Sequence, residues 1–463
     1  MEPRRYRAVA AAIVAVVIAL GALAALPGRP AAGAEPERRG PRFPNVLLVS
    51  IDTLRTDRLS AYGYERPTSP EIDRLLGLGT WFTDARTVEP LTSPASCSLL
   101  TSRFPHEHGS TRNGLRLRPG LDSLPKLLEQ RGYDTAAFVG NWTLRNSLSG
   151  LAEHFDEYHE VFTRRRWFGM FNEEATGEDL TADTVAWIEE HREDAPERPY
   201  FVWVHYVEPH APYRFWESFA RKLRIEFERG VPKSDRYDTE IAYTDREVGR
   251  LLRALGGGDG LPEDTLVLFV ADHGESLGQH GYWGHGRHLY EDSLHIPMGL
   301  VWPGRVPAGK IDDPALIIDL APTVLGLLGL PEPDGFRGFD WSRVFRGDAE
   351  APDRVGYFQA HKGAVQFDHT SEAARADGLL EVGKVTGSKK EILDVVSGAV
   401  RIYDFRADPG EVRNLAPAGA KPSPDLATWL QAVRAGLRAS SDIPAAKLDA
   451  ESRERLRALG YVD

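Results

Sequence analysis

The 463-residue chain contains a single cysteine, Cys97, and therefore cannot form an intramolecular disulfide bond. Basic residues are also scarce relative to acidic ones: 56 Lys and Arg against 68 Asp and Glu give a formal net charge of −12. We expect no nucleic-acid partner, because nucleic-acid-binding proteins usually need a basic face. No unit of about 20 to 50 residues repeats, which argues against solenoid and propeller architectures. The composition is otherwise that of a globular protein with a large core.

One long apolar run lies near the N-terminus. Several arginines precede residues 8–26, which are uninterrupted apolar, and small residues follow at positions 32–34. This order is typical of a secretory signal with a cleavage site. As a helix the run would measure about 28 Å, nearly the thickness of a bilayer, so an uncleaved membrane anchor is the alternative. We predict that residues 1–40 are a signal peptide or an N-terminal membrane anchor with its linker. The rest would then be extracytoplasmic, either periplasmic or secreted.

Short apolar runs then alternate with amphipathic stretches, which is the pattern of an α/β sheet. The predicted strands are residues 46–51, 135–139, 200–204 and 265–271. The predicted helices between them are residues 123–130, 179–191 and 237–255. The polar residues that follow the four runs are Asp52, Asn141, His205 and the pair Asp272 and His273. Ligand sites of open α/β sheets lie beyond the carboxyl ends of the strands, so these residues are candidates for one shared site.

The stretch LTSPASCSLLTSRFPHEHG, residues 91–109, predicts a helix that begins near Ser93 with Thr92 at its N-terminus. Backbone N–H groups and the helix dipole attract anions there. Taken alone, Thr92 reads most simply as an N-cap. Together with Asp52, Asp272 and His273, its hydroxyl would complete a set of divalent-cation ligands. Metal coordination is one way to activate a threonine hydroxyl, which is a poor nucleophile at neutral pH.

Asp52 after the first strand, Thr92 two residues before a proline, and the late pair Asp272 and His273 make three motifs. In this order they resemble the motifs of the sulfatases and their relatives in the alkaline phosphatase superfamily. In that family a Cys or Ser that matures to formylglycine, or a Thr, stands two residues before a Pro, and here Thr92 falls at that place. The resemblance spans residues 43–416 and ends in YDFRADPGEVRNLA. It implies an α/β fold, an alkaline-phosphatase-like α/β/α sandwich with a large mixed, mostly parallel sheet, plus a small C-terminal antiparallel α+β subdomain. The predicted division is residues 41–350 for the catalytic domain and 351–463 for the C-terminal subdomain with a helical tail.

The resemblance also implies a cofactor. Asp52, Thr92, Asp272 and His273 would bind one divalent cation, with a second as the alternative count. Many sulfatases have another acidic residue after the first, but here that position is Thr53. The smaller negative charge and the nitrogen ligand favour Mn²⁺ or Zn²⁺ over Ca²⁺. No formylglycine is expected, because that conversion needs Cys or Ser.

Three further residues are candidates for contact with substrate. His210 matches the family's His-x-Pro histidine, and His285 stands where many sulfatases have a sulfate-binding lysine. Both are predicted to donate to a substrate oxyanion or to bind a second cation, with a structural histidine as the alternative. The family's Gly-Lys-Trp-His turn reads Gly-Asn-Trp-Thr here, so its lysine and histidine are missing, although Asn141 could donate to an oxyanion. The histidines predicted as weaker candidates or as loop residues are His205, His280, His288, His106 and His108.

The leading hypothesis is an exported, metal-dependent hydrolase or transferase with Thr92 as the nucleophile on an anionic ester, preferentially a phospho- or phosphonoester. Threonine nucleophiles occur in relatives such as nucleotide phosphodiesterases and lipoteichoic-acid-synthase-like transferases. A sulfuric ester hydrolase without formylglycine is the first alternative. The second is a catalytically inactive surface binding protein of the same fold, which the missing lysine and histidine favour.

Overall fold

The computed structural model describes residues 43–162, 165–166, 171–172, 176–226, 230–256, 260–363 and 378–439. The strands in these ranges, numbered in chain order, are β1 (Asn45–Ile51), β2 (Thr80–Phe82), β3 (Ala85–Arg86), β4 (Asp134–Val139), β5 (Glu157–Glu160), β6 (Arg165–Arg166), β7 (Phe171–Asn172), β8 (Tyr200–Tyr206), β9 (Thr265–Ala271), β10 (Ser276–Leu277), β11 (Trp283–Gly284), β12 (Met298–Val301), β13 (Gly309–Ile311), β14 (Ala315–Leu316), β15 (Gly356–His361), β16 (Leu379–Thr386), β17 (Lys389–Asp394) and β18 (Val400–Asp404).

The α-helices in the same ranges are α1 (Pro70–Gly77), α2 (Thr92–Thr101), α3 (Pro105–His108), α4 (Leu124–Glu129), α5 (Asn146–Ser149), α6 (Gly177–Asp194), α7 (Glu217–Ala220), α8 (Lys233–Ala254), α9 (Glu291–Leu294), α10 (Leu320–Leu327), α11 (Ser342–Phe345) and α12 (Pro424–Ala439). The predicted helices correspond to α4, α6 and α8, with ends that differ by a few residues. The longer bounds of α6 include a capping box formed by Thr176 and Asp179.

The central feature is a mixed eight-stranded sheet with the order β13-β2-β12-β9-β1-β8-β4-β5. Strand β1 pairs in parallel with β8 and β9, and β4 pairs in parallel with β8 and β5, whereas β12 runs antiparallel to its neighbours β9 and β2. Every residue of β8 and β9 is buried. Parallel strands that are covered on both faces consist of continuous apolar residues, and for this reason these strands could be predicted from the sequence. The α/β fold and its mostly parallel sheet are thus confirmed.

A smaller antiparallel sheet of order β15-β16-β17-β18 follows, with α12 packed on it through Leu426, Val433 and Leu437. The N–H of Gln359 in β15 donates to the carbonyl of Val88 at 3.1 Å, so this sheet reaches the segment that leads into α2. The C-terminal antiparallel subdomain is therefore confirmed as an element of the fold. Contacts group Phe43 onward into one compact unit, and the domain division at residue 350 stays a prediction.

The predicted signal peptide or anchor, residues 1–40, lies outside the described residues. Within the part of the chain that the structure describes, no helix combines the length and the apolar character that a membrane span requires.

Candidate active site

The two aspartates of the predicted cation site are neighbours at the carboxyl edge of the sheet. Strands β1 and β9 pair in register up to Ile51 and Ala271, so Asp52 and Asp272 are the next residues on two adjacent strands. The N–H of Asp272 donates to the carbonyl of Ile51 at 3.3 Å, and that of Asp52 donates to the carbonyl of Tyr206 at 2.9 Å. The strand ladder thus continues into both residues and fixes their backbones.

Asp52, Asp272 and His273 form a buried cluster of candidate cation ligands. One ligand atom from each lies within 4.8 Å of the others, and His273 Nε2 is 3.7 Å from Asp52 Oδ1 and 3.5 Å from Asp272 Oδ2. These two carboxylate oxygens have no hydrogen-bond partner among the described residues. Leaving a buried polar group unpaired costs about 1–3 kcal/mol, and more for a charged one. The residues therefore fit a divalent cation, which would satisfy both oxygens at once.

The orientation of His273 also suits a ligand. Its Nδ1–H donates to the carbonyl of Gly274 at 2.8 Å, which leaves the lone pair on Nε2 facing the cluster. Burial, aided by the nearby His285, lowers the pKa of His273 to about 3, so the ring is neutral at physiological pH. Neutral imidazole is the form that binds metals.

The pKa values of the two aspartates are shifted in opposite directions. Burial tends to raise the pKa of Asp52, but the nearby His210, His205 and His273 outweigh it and bring this pKa below its usual range. For Asp272, burial and the negative charge of Asp52 act together and raise the pKa well above its usual value. Two carboxylates this close do not both ionise unless a positive charge lies between them.

Thr92 is the first residue of α2, so the predicted start near Ser93 is confirmed to within one residue. Leu91 holds the N-cap position, which removes the interpretation of Thr92 as an N-cap. The Oγ1 of Thr92 lies 3.3 Å from His273 Nε2, and the whole helix is buried. The structure thus brings the hydroxyl to the same atom that faces both aspartates.

Thr53, which follows Asp52, serves the cluster through its backbone. Its N–H donates to Asp272 Oδ1 at 3.2 Å, and this oxygen also accepts the N–H of His273 at 2.8 Å. Thr53 has a φ of 54°, the left-handed region that is uncommon for a β-branched residue. The strained turn directs one oxygen of Asp272 to the backbone and leaves the other for the cluster.

Asn141 lies beside Asp52. Its Nδ2 donates to Asp52 Oδ2, while its Oδ1 accepts the N–H of Thr143 at 2.8 Å and the hydroxyl of Thr143 at 2.7 Å. Thr143 therefore fixes the orientation of the amide. The Asn141 amide N–H that donates to Asp52 orients this carboxylate. The donation of Asn141 to a substrate oxyanion stays a prediction.

His210 and His285 form a row of neighbouring rings with His273. The ring centroids of His273 and His285 are 4.5 Å apart, and those of His285 and His210 are 5.2 Å apart. The Nδ1–H of His210 donates to the carbonyl of Ala211 at 2.6 Å. The predicted pair is thus placed next to the cluster, and its contact with substrate or with a second cation stays a prediction.

Sequence reasoning missed Glu275, which is fully buried and accepts the Nδ1–H of His285 at 3.2 Å. Burial tends to lower the pKa of His285, but the Glu275 carboxylate outweighs it and raises that pKa. The available signal was an acid two residues after His273, followed by a glycine-rich hairpin. That hairpin, β10–β11, places Glu275 opposite His285.

The weaker histidine candidates divide between the site and its surroundings. His205 lies inside β8, which runs past the predicted end at residue 204, and its Nε2 is 3.7 Å from Asp52 Oδ2. His280 stacks on Tyr290, and His288 bonds to Glu381 at 2.9 Å. The remaining two lie in the short helix α3 after α2: His106 bonds to Gln359 of β15, and His108 bonds to Ser98 of α2.

Comparison with known proteins identifies the family of the chain. The sulfatase family model matches residues 44–330, and the model of the N-sulphoglucosamine sulphohydrolase C-terminal region matches residues 278–421. An N-acetylglucosamine-6-O-sulfatase of Bacteroides thetaiotaomicron is 24% identical, covering 82% of this chain and 84% of its own length. Human arylsulfatase A is 27% identical, covering 85% of this chain and 87% of its own length.

Among solved structures, the phosphonate monoester hydrolase of Agrobacterium radiobacter superposes with a TM-score of 0.63 at 20% identity, over 88% of this chain and 98% of that one. This likeness shows a shared fold. The family model itself covers more than half of the chain. The protein therefore belongs to the sulfatase family, the ester hydrolases of the alkaline phosphatase superfamily.

Proposed function

We propose that this family member is a divalent-cation-dependent hydrolase that uses Thr92 as its nucleophile on a phosphate or phosphonate ester. The observation that carries the proposal is the position of Thr92 Oγ1, 3.3 Å from His273 Nε2. That nitrogen faces two carboxylate oxygens that have no hydrogen-bond partner among the described residues. Threonine has no route to formylglycine, because the extra methyl group blocks formation of an aldehyde. The formylglycine mechanism of sulfate hydrolysis is therefore not open to Thr92.

Four atoms would hold the cation: Asp52 Oδ1, Asp272 Oδ2, His273 Nε2 and Thr92 Oγ1. When bound, a cation supplies Lewis-acid chemistry that lowers the pKa of a ligated hydroxyl and offsets negative charge on the transferred group. Two carboxylates with a nitrogen ligand favour Mn²⁺ or Zn²⁺ over Ca²⁺.

The proposed reaction has two steps. The Thr92 oxygen forms a bond to phosphorus while the bond to the leaving alkoxide breaks, and the alkoxide takes up a proton that balances the one lost by the Thr92 hydroxyl. Water then attacks the phosphothreonine, restores the hydroxyl and releases the phosphoryl product. An alcohol in place of water would make the same enzyme a transferase. His210 and His285 already give their Nδ1–H groups to Ala211 and Glu275, so they would hold the phosphoryl oxygens through Nε2–H, which requires the imidazolium form of each ring.

Hydrolysis of sulfate esters is the second candidate, and the names of the related N-acetylglucosamine-6-O-sulfatase and arylsulfatase A favour it. Thr92 would then attack sulfur in the same geometry. Either reaction implies an anionic ester as substrate. We also propose export of the enzyme, supported by the apolar run at residues 8–26; N-terminal sequencing of the mature protein and cell fractionation would decide between cleavage and anchoring.

The test is a panel of bis-aryl phosphate, aryl phosphonate, aryl phosphate and aryl sulfate esters, assayed with Mn²⁺ or Zn²⁺ for the wild type and Thr92→Ala. We expect phosphorus esters to turn over fastest and Thr92→Ala to lose at least about a thousandfold in kcat, the scale of removing a nucleophile. Thr101→Ala is the matched control, since Thr101 is a buried threonine of the same helix whose hydroxyl donates to Cys97.

Equal turnover by wild type and Thr92→Ala would overturn the nucleophile assignment. Dominant sulfate turnover would favour the second candidate. Absence of both turnover and bound cation would favour a binding protein of this fold.

A further inference from the structure

A second buried group, formed by Trp203, Ser50 and His205, lies directly behind Asp52. Strands β1 and β8 are in register at Ser50 and His205, so the two side chains meet across the pair. The indole Nε1–H of Trp203 donates to Ser50 Oγ at 2.8 Å, and His205 Nδ1 lies 2.8 Å from the same oxygen. All three side chains are at most 1% exposed. The group is a continuous hydrogen-bonded row inside the sheet.

The indole N–H of Trp203 determines which groups donate and which accept among Trp203, Ser50 and His205. An indole N–H only donates, so Ser50 must accept from Trp203 and has one proton of its own to give. That proton can go to His205 Nδ1 at 2.8 Å or to the carbonyl of Val204 at 3.4 Å. The second distance is near the limit of a hydrogen bond and the first is ideal for an O–H donor. His205 Nδ1 therefore accepts, and the ring proton is on Nε2.

The other end of the ring supports the same tautomer. His205 Nε2 has no hydrogen-bond partner among the described residues, and it faces Asp52 Oδ2 at 3.7 Å. An N–H at this position points at a carboxylate oxygen, which is favourable, whereas a lone pair would repel that oxygen. Two independent contacts, one on each ring nitrogen, thus select the Nε2–H form.

We propose that Trp203, Ser50 and His205 form a positioning relay for Asp52. The relay directs the Nε2–H of His205 at Asp52 Oδ2 across 3.7 Å, an electrostatic contact longer than a hydrogen bond. The same oxygen accepts from Asn141, so that Oδ1 is the oxygen left to bind a cation. His205 is then a positioning residue that binds no cation, although it lies within the same buried site. The proposal rests on the proposed function only in that a cation binds at Asp52.

The tautomer is measured directly by NMR on the full-length protein with ¹⁵N-labelled histidine. We expect the His205 signals, identified by their loss in His205→Gln, to show a protonated Nε2 and an unprotonated Nδ1 in the cation-free protein. Ser50→Ala removes the donor to Nδ1 and should abolish this pattern. Trp341→Phe is the matched control for Trp203→Phe, because Trp341 is equally buried but its indole donates to Asp319. Of these two tryptophan variants, only Trp203→Phe should weaken the preference of His205 for the Nε2–H form.

Cation affinity, measured by equilibrium dialysis with Mn²⁺ or Zn²⁺, tests the consequence. His205→Gln keeps an N–H donor at the place of Nε2, and His205→Leu removes it. Loss of partners that orient a ligand typically costs about 10- to 100-fold in metal affinity. We expect a loss of that size in His205→Leu and a loss of less than about threefold in His205→Gln, a rescue that a purely structural role would not produce.

A proton on Nδ1 with an unprotonated Nε2, or equal affinities for His205→Leu and His205→Gln, would overturn the relay. These outcomes are separable from failure of the proposed function. A wild type that binds the cation but hydrolyses no ester would refute the function and leave the relay intact. Normal ester hydrolysis with unchanged cation affinity in His205→Leu would refute the relay alone.

Discussion

Glu275 and His285 lie opposite each other where the β10–β11 hairpin meets the active-site cluster, joined by a hydrogen bond of 3.2 Å from Nδ1–H to Oε1. The histidine ring is held between this carboxylate and the ring of His273, whose centroid is 4.5 Å away. A carboxylate at Nδ1 fixes the ring so that Nε2 is the atom available for a ligand or substrate. Glu275 is thereby a positioning residue for His285.

Replacing Glu275 by Gln keeps an acceptor for Nδ1–H but removes the negative charge. We expect kcat to fall about 10- to 100-fold with little change in KM, since the loss affects how His285 meets the reacting group. The matched control is Glu381→Gln, because Glu381 accepts from His288 at 2.9 Å outside the cluster. Steady-state kinetics on the best ester from the panel measure both. Equal effects of the two variants would contradict the assignment.

Asp272→Asn should leave the cation-free protein at least as stable as the wild type but should remove the stabilisation that a bound cation provides. In the cation-free protein the substitution removes one of two adjacent buried carboxyl groups, so we expect an unchanged or higher Tm. With Mn²⁺ at 100 times its Kd, the wild type should gain about 2.7 kcal/mol of stability, and the variant should gain little. Thermal unfolding in chelator and in Mn²⁺ measures both terms. A variant stabilised by Mn²⁺ as strongly as the wild type would place the cation elsewhere.

Gly286→Ala tests how closely the His285 segment packs against the start of α2. Gly286 has a φ of 93°, and an added Cβ would lie 2.8 Å from Cδ2 of Leu91, the residue before Thr92. We expect a loss of about 1–3 kcal/mol in the free energy of unfolding and a lower kcat. Gly304→Ala is the control, since its φ is 70° and an added Cβ would meet nothing within 4 Å. If the two variants unfold alike and Gly286→Ala keeps its kcat, the contact with Leu91 has no effect.

His108 should make the protein sensitive to acid. Burial lowers its pKa to about 3, against about 6.5 in an unfolded chain. Because the folded pKa is depressed, the stability contribution is complete above pH 6.5 and is lost as the pH falls from there toward 3, by up to about 1.4 kcal/mol per pH unit. His108→Gln, which does not titrate, should show a shallower loss. Urea unfolding between pH 7 and 4 measures the two slopes, and parallel slopes would contradict the prediction.

How far the sequence predicts the fold depends on how each segment is buried. Strands β8 and β9 are covered on both faces and could be read as apolar runs. Strand β17 does not stand out in this way, because Lys389–Asp394 is a polar segment, although Lys390 is fully buried and pairs with Glu291 and Glu411. A buried lysine satisfied by partners from distant segments cannot be recognised from local hydropathy.

The residues of the candidate site also differ in whether the sequence alone could predict them. Asp52 and Asp272 could be proposed from the sequence because each follows a strand directly, with His273 next to Asp272, and Thr92 because a proline and an apolar run mark its helix. The orientation of Asn141 depends on Thr143, and the relay through Ser50 depends on the register of β1 against β8. Thr143 is only two positions from Asn141, but the Asn141 amide lies at the site because it bonds to Asp52, 89 positions away, and Ser50 is 155 positions from His205. No local pattern contains these long-range pairings.

The site is built on the middle of the sheet, since Asp52, His205 and Asp272 belong to the ends of β1, β8 and β9, three adjacent strands. Segments of this kind exchange their amide hydrogens only when the whole domain opens, because no smaller unit can unfold around them. We expect the amides of Asp52 and Asp272, which are bonded to Tyr206 and Ile51, to be among the slowest to exchange in hydrogen-exchange experiments. We therefore expect the two aspartates to keep their positions until the sheet itself unfolds.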